Sequence, residues 1–364
     1  MGPGRIGFAD ASRKPVQRPV SNPPNPWSSS HVDWLGEPPS AQLSVYEEHA
    51  KSILSENDSP DVPFRWSLNP YRGCQHACAY CYARTTHQYL GYGAGTDFDT
   101  RIVVKINAAE RLRATLSARG WKREPIVFSG ATDCYQPLEA SYGITRACLE
   151  VCAEFAQPIG LITKGALVRR DIDVLARLSK KAPVRVFLSI PFATDANGRA
   201  MEPWGSAPSM RFATLRALTD AGIETGVAIA PLIPGLNDAD IATILERAHA
   251  AGARHAFMVL LRLAAEVRPV FEERVRAQFP DRADKILHAL REMRGGVANN
   301  SRFGERMSGS GPRWDAIKRL FEIQCARLGL LAGGEAQAAD AIRPLSPEPK
   351  LTSGRGPSQG LLFP

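Results

Sequence analysis

An α/β fold is predicted: a partial (β/α)6 TIM-like barrel with a C-terminal helical extension and disordered termini. Three observations predict it. Short β-branched runs recur between about residues 64 and 262, a helical apolar pattern separates most of them, and the alternation stops at residue 262. Near-continuous apolar strands alternating with amphipathic helices belong to a parallel sheet buried on both faces. The opening strand falls over 64–68, followed by strands over 125–129, 158–163, 184–190, 225–230 and 255–261. Helical patterns cover 145–155, 170–179, 210–221 and 238–251. Six strand–helix units of roughly 33 residues fall short of a closed eight-fold barrel. A doubly wound sheet is the structural rival, but no Gly-x-Gly-x-x-Gly follows the first strand.

Beyond the barrel, helices over 268–279, 281–294 and 312–329 form the extension, with a Gly/Ser-rich loop over 299–312. The predicted organisation is a largely disordered arm over 1–45, a barrel over 46–265, the extension over 266–331 and a tail over 332–364. The arm is rich in Pro, Ser and Asn and lacks a period, which is why no element is assigned to it.

Composition narrows the function classes. The chain has 364 residues, 44% hydrophobic, and no apolar run near the ~20 residues of a membrane span. Its start, Met-Gly-Pro-Gly-Arg-Ile, has no signal-peptide core, so a cytoplasmic location with no membrane partner is expected. Lys and Arg exceed Asp and Glu by 45 − 37 = 8, a surplus that suits a polyanionic partner such as DNA or RNA. Seven cysteines in a chain of this kind argue against a disulfide framework.

The chemistry concentrates in Cys74-Gln-His-Ala-Cys78-Ala-Tyr-Cys81, just after the first strand. Three thiolates in eight residues suit a 4Fe–4S cluster with one iron left open for a ligand. The spacing matches poorly the paired Cys-x2-Cys units of zinc sites, although a Cys3His zinc centre with His76 or His87 is the alternative. Thr163 and Lys164 close one strand and Ser189 nearly closes the next, so a lysine and a hydroxyl can reach the barrel mouth. Cys148 and Cys152, four apart on a helix, read as core packing.

This loop resembles the signature of the radical S-adenosylmethionine (AdoMet) superfamily, in which an aromatic residue, here Tyr80, precedes the last cysteine. Membership implies a partial barrel and a 4Fe–4S cluster that binds AdoMet and cleaves it to a 5′-deoxyadenosyl radical for hydrogen abstraction. Within it, the resemblance is to the spore photoproduct lyase family and its bacterial relatives. It is carried by Asn69-Pro-Tyr-Arg-Gly-Cys74, Cys81-Tyr-Ala-Arg84, Thr132-Asp-Cys-Tyr-Gln-Pro137, Pro231-Leu-Ile-Pro-Gly-Leu-Asn-Asp238 and Ser301-Arg-Phe-Gly304.

The resemblance implies cofactor contacts at Tyr80, Tyr82, Thr132, Lys164, Ser189 and Ala230. Tyr82 and Cys134 are the catalytic candidates. The family's hydrogen-returning cysteine has its counterpart at Gly130, so Cys134 enters only as a substitute donor and thymine-dimer splitting by the same relay is in doubt. The implied chemistry is hydrogen abstraction from a nucleic acid, as in DNA repair; a protein or small-metabolite substrate is the enzymatic alternative, and a zinc-stabilised nucleic-acid-binding module the non-enzymatic one.

Partner expectations complete the reading. From Arg262 to Leu330 the chain carries 14 Lys and Arg against 9 Asp and Glu, and Arg302, Arg306 and Arg313 flank a glycine-rich loop suited to phosphates. An electron donor such as flavodoxin or ferredoxin is implied by the cluster. Gln359-Gly-Leu-Leu-Phe363 resembles the bacterial sliding-clamp-binding peptide, with Gly360 in place of the usual Leu.

Overall fold

The computed structural model describes residues 42–333, apart from 63, 265, 298 and 301. Most of the predicted arm and tail, including Gln359–Phe363, lies outside the described residues.

In chain order the strands are β1 (Ser44–Glu48), β2 (Leu54–Glu56), β3 (Trp66–Leu68), β4 (Tyr71–Arg72), β5 (Arg101–Lys105), β6 (Ile126–Phe128), β7 (Ile159–Thr163), β8 (Val184–Ser189), β9 (Glu224–Leu232), β10 (His255–Leu260) and β11 (Leu331–Gly333). The main sheet runs β11-β10-β9-β8-β7-β6-β3-β2. The six predicted strands are its parallel core, from β3 to β10. β11 extends it in parallel and β2 closes the other edge antiparallel. This is the partial barrel expected, with helices against the sheet between strands.

Alternation along each strand sorts side chains into two populations. Val184, Val186 and Leu188 of β8 and Val227 and Ile229 of β9 join the main core beneath the helices. Residues of opposite parity, Phe187, Ala228, Phe257 and Val259, form a separate cluster inside the barrel. Gly226 belongs to this inner set: a Cβ there would stand 2.3 Å from the Phe187 ring. The strand-N-terminal end is plugged by polar groups, with Glu224 bonded to Arg185 at 2.8 Å and to His255 at 2.6 Å. The cavity described below opens instead at the carboxyl ends of the strands.

A second sheet, β1-β5-β4, was not expected from the sequence. β1 takes in Ser44 and Val45 of the predicted arm, and β11 takes in Ala332 and Gly333 of the predicted tail. Both pair in parallel with strands remote in sequence, so no hairpin turn marks them. The helix predicted over 170–179 begins as a 3-10 segment, Ala166–Asp171, and becomes α-helical over Ile172–Ser179. Among the described residues, no helix is long and apolar enough to cross a membrane.

Candidate active site

The cysteine loop leaves β3 at the carboxyl end of the sheet and is pinned from several sides. Gly73 opens it with φ +77°, and a Cβ there would meet the Phe98 carbonyl and the Ile102 side chain at 2.9 Å, so only glycine fits. The Cys74 N–H donates to the Phe98 carbonyl at 2.9 Å. Arg84, 1% exposed, donates to the Cys78 carbonyl at 3.0 Å and forms an ion pair with Asp99 at 2.8 Å. Ala79 donates to the Met201 carbonyl at 3.0 Å, which fixes the loop's outer side.

The Thr132–Pro137 motif is the loop's second support. Thr132 donates its hydroxyl to the Gly73 carbonyl at 2.6 Å, and Gln136 accepts from the Gln75 N–H at 3.0 Å. Asp133 accepts from the Thr163 hydroxyl at 2.6 Å and the Lys164 N–H at 2.8 Å, and stands 3.3 Å from Nδ1 of His76. Burial alone would raise its pKa, but these partners hold the carboxyl well below the usual carboxylate range. One carboxylate thus ties the cysteine loop to the end of β7.

A cavity of about 460 Å³ opens beside the loop at the carboxyl ends of the strands. Cys78, Tyr80, Cys81, Tyr82, Lys164 and Ala230 line it, bringing together six of the residues singled out from the sequence. Thr132 and Ser189 do not line it. Both hydroxyls are buried and engaged, that of Ser189 with the Ala230 carbonyl at 3.1 Å. Cys134 is fully buried in the main core, its thiol pushed up by burial, and it too is absent from the lining. Cys148 and Cys152 pack in that same core, as expected. Tyr82 spans the cavity rim, donating to the Gly130 carbonyl at 2.5 Å, and the Arg262 guanidinium lies 5.7 Å from its ring centroid.

The donor set fits a 4Fe–4S cluster. Burial pushes all three thiols up, that of Cys78 to about 12, and each also responds to the charge of its neighbours. Lys164, Arg84 and Arg211 act in the opposite sense and favour thiolates at Cys78 and Cys81. Among the described residues, the thiols do not close into the tight triad of a single-ion site. Three cysteine thiols in one loop suit a multinuclear centre, in which each thiolate would bind a different iron.

Sequence reasoning missed a buried ion pair behind this loop. Glu202 and Arg211 are both fully shielded and bonded to each other, and the Tyr80 hydroxyl also donates to Glu202. Arg211 donates to the Ser189 carbonyl at 2.9 Å, so the pair joins the cysteine loop to the end of β8. The Lys164 ammonium lies 5.5 Å from the Tyr80 ring centroid, and Glu202 and Cys78 help keep it charged against burial. No spacing rule links Glu202 or Arg211 to the cysteines; a charged residue at an otherwise apolar helix position was the only signal.

Known proteins agree with this geometry. The family model described as "Radical SAM superfamily" matches residues 68–248. An uncharacterised protein of Mycobacterium bovis is 36% identical over 232 residues, covering 63% of this chain and 68% of that one. An uncharacterised protein of Methanocaldococcus jannaschii is 28% identical over 200 residues, 55% of this chain and 72% of its own. Among solved structures, spore photoproduct lyase complexed with dinucleoside spore photoproduct aligns with TM-score 0.59 and 16% identity, over 85% of this chain and 88% of that one. A variant of that lyase with bound AdoMet and the same dinucleoside gives the same values. At that identity the likeness speaks for the fold. The cysteine loop at the mouth of a partial barrel, the family match and the relatives agree: the chain belongs to the radical SAM superfamily, enzymes that use a 4Fe–4S cluster and AdoMet.

Proposed function

We propose that this radical SAM enzyme abstracts hydrogen from a nucleic acid, in a DNA-repair reaction related to that of spore photoproduct lyase. The bound cluster and AdoMet supply one chemical step, reductive cleavage to methionine and a 5′-deoxyadenosyl radical. The chain's residues do the rest. Cys74, Cys78 and Cys81 hold the cluster, Lys164 pairs with the AdoMet carboxylate, and Tyr80 meets the adenine. Ala230, with Ser189 behind it, shapes the pocket, Thr132 holds the cysteine loop through Gly73, and apolar walls exclude water from the radical.

The observation that carries the substrate reading is the rim. Arg262 stands over Tyr82, and Arg306 over Phe303 at 4.4 Å, with Phe303 60% exposed. Arginine–aromatic pairs offer stacking faces to bases, and the Arg306 guanidinium is itself held by an ion pair with Asp61. The dinucleoside carried by the structural relative presents bases of this kind. Tyr82, on the cavity rim, is the better placed of the two catalytic candidates; Cys134 packs in the main core. The Gln359–Phe363 peptide serves as a tether to the sliding clamp, an assignment that Phe363→Ala tests through clamp binding.

The test is anaerobic. The reconstituted protein, reduced with dithionite, is assayed for 5′-deoxyadenosine with UV-irradiated and undamaged oligonucleotides. Salt-dependent binding and damage-dependent product are expected, with the product absent in Cys78→Ala. AdoMet cleavage with no oligonucleotide binding at any salt concentration leaves the protein or metabolite alternative in its place.

A further inference from the structure

The cluster cysteines are screened from solvent, Cys74 and Cys78 each being 6% exposed. During turnover AdoMet and substrate fill the cavity side, so an electron from a protein donor must enter through the loop's other side. That side rests on the segment that follows the helix Asp195–Met201. The Trp204 N–H donates to the His76 carbonyl at 3.4 Å, and Met201 accepts from Ala79 at 3.0 Å, so two backbone bonds join the surface to the cysteine loop.

The surface at this point is unusual. Trp204 is 72% exposed and Met210, six residues on, is 45% exposed. The Arg169 guanidinium lies 3.7 Å from the Met210 sulfur, and Ala166 donates to the Ser206 hydroxyl at 2.9 Å, which fastens the 3-10 segment to the tryptophan turn. Arg199 is exposed on the preceding helix. Among the described residues neither Arg169 nor Arg199 makes an ion pair. Of the nearby carboxylates, Glu202 pairs with Arg211, and Asp195 accepts from the Ser209 hydroxyl at 2.7 Å and feels the charges of Arg247 and Arg199. None of these residues lines the cavity.

We propose that Trp204 and Met210, rimmed by Arg169 and Arg199, are the docking face for an acidic one-electron carrier protein, a reduced flavodoxin or ferredoxin. An exposed tryptophan with flanking cations is the anchor-and-rim pattern of a transient, electrostatically steered contact. The step transfers one electron from the reduced carrier to the oxidised cluster and makes or breaks no bond. A nucleic acid fits the charge but not the position, because the reacting atoms face the cavity. The inference rests on the radical chemistry, and dithionite, which needs no docking, tests that chemistry separately.

The experiment compares the cluster-loaded full chain with its Arg169→Glu/Arg199→Glu and Trp204→Ala variants and with a Lys181→Glu control at the opposite end of the barrel. Binding of flavodoxin and ferredoxin is measured at low and high salt, alongside 5′-deoxyadenosine formation driven by each carrier or by dithionite. Carrier binding and carrier-driven product are expected to fall about tenfold or more in the first two variants. Dithionite-driven product and the control should stay unchanged. The proposal is overturned if the charge reversals leave carrier binding intact, if neither carrier binds or supports turnover where dithionite does, or if the variants lose oligonucleotide binding while keeping the carrier.

Discussion

The carboxylate of Asp133 stands 3.3 Å from the His76 ring, between the first two cluster cysteines in sequence, while its other bonds reach Thr163 and Lys164. One residue thereby sets the cysteine loop against the strand end that presents Lys164. Outer groups of this kind are worth about 10–100-fold in metal affinity or activity. Asp133→Ala is therefore expected to lower cluster iron and AdoMet cleavage by about that factor. Iron analysis and chromatography of 5′-deoxyadenosine on the same preparations check it, with Asp133→Asn the milder change.

Lys164 makes a sharper separation between cluster and cofactor. Its ammonium lines the cavity and its charge favours thiolates at Cys78 and Cys81, so Lys164→Met should lower AdoMet affinity by more than it lowers cluster iron. A charge-assisted bond to a carboxylate contributes about 1.5–3 kcal/mol, which corresponds to about 10–100-fold in AdoMet affinity. Equilibrium binding of AdoMet to the reconstituted variant measures this, and unchanged affinity would remove Lys164 from the cofactor site.

Much of this was legible in the sequence, and the reasons differ by feature. The six parallel strands announced themselves because a strand buried on both faces is mostly apolar, as Val184–Ser189 is apart from Arg185 and Ser189 near its ends. The cysteine loop was legible because metal ligands need fixed spacing. Cofactor contacts were read less evenly: Lys164 and Tyr80 reach the cavity, whereas the Thr132 and Ser189 hydroxyls spend themselves on Gly73 and Ala230. A hydroxyl near a strand end looks the same in sequence whichever way it points. The Glu202–Arg211 pair was illegible because its partners meet only through tertiary packing.

Tyr82 and Cys134 are separated by position. Tyr82→Phe removes a bond to Gly130 worth about 0.5–1.5 kcal/mol, and is expected to weaken AdoMet binding by about 2–10-fold and uncouple cofactor cleavage from substrate product. Cys134→Ala should leave both readouts unchanged and cost stability alone, about 1 kcal/mol, because its thiol fills core volume. Equal loss of product in the two variants would restore Cys134 as a hydrogen donor.

Stability at acid pH should depend on Glu224. Burial would raise its pKa, but bonds from His255 and Arg185 overcome that and hold it at about 2, against an ordinary 4.5. A depressed carboxyl pKa contributes stability that is present above the unfolded value and lost as pH falls toward the folded one. The wild type should thus lose stability between about pH 4.5 and 2, partly muted by solvent because the carboxylate is half-buried. Glu224→Gln should flatten this part of the profile, as read from urea midpoints across the range.

The Glu202–Arg211 pair offers the strongest contrast between breaking and replacing an interaction. Both side chains are fully shielded, so removing Arg211 leaves the Glu202 anion with the Tyr80 hydroxyl and the field of the Lys164 ammonium. Losing one partner of a buried pair costs about 3–5 kcal/mol, while replacing both by neutral groups of similar volume is often close to neutral. Arg211→Ala is expected to show the full loss in urea denaturation, and Glu202→Gln/Arg211→Met to recover most of it. Stability and function should then part company. The double variant keeps the volume but not the charge that orients Tyr80 and ties it to the Ser189 carbonyl, so AdoMet affinity should stay low after stability returns. Recovery of both together would reduce the pair to packing.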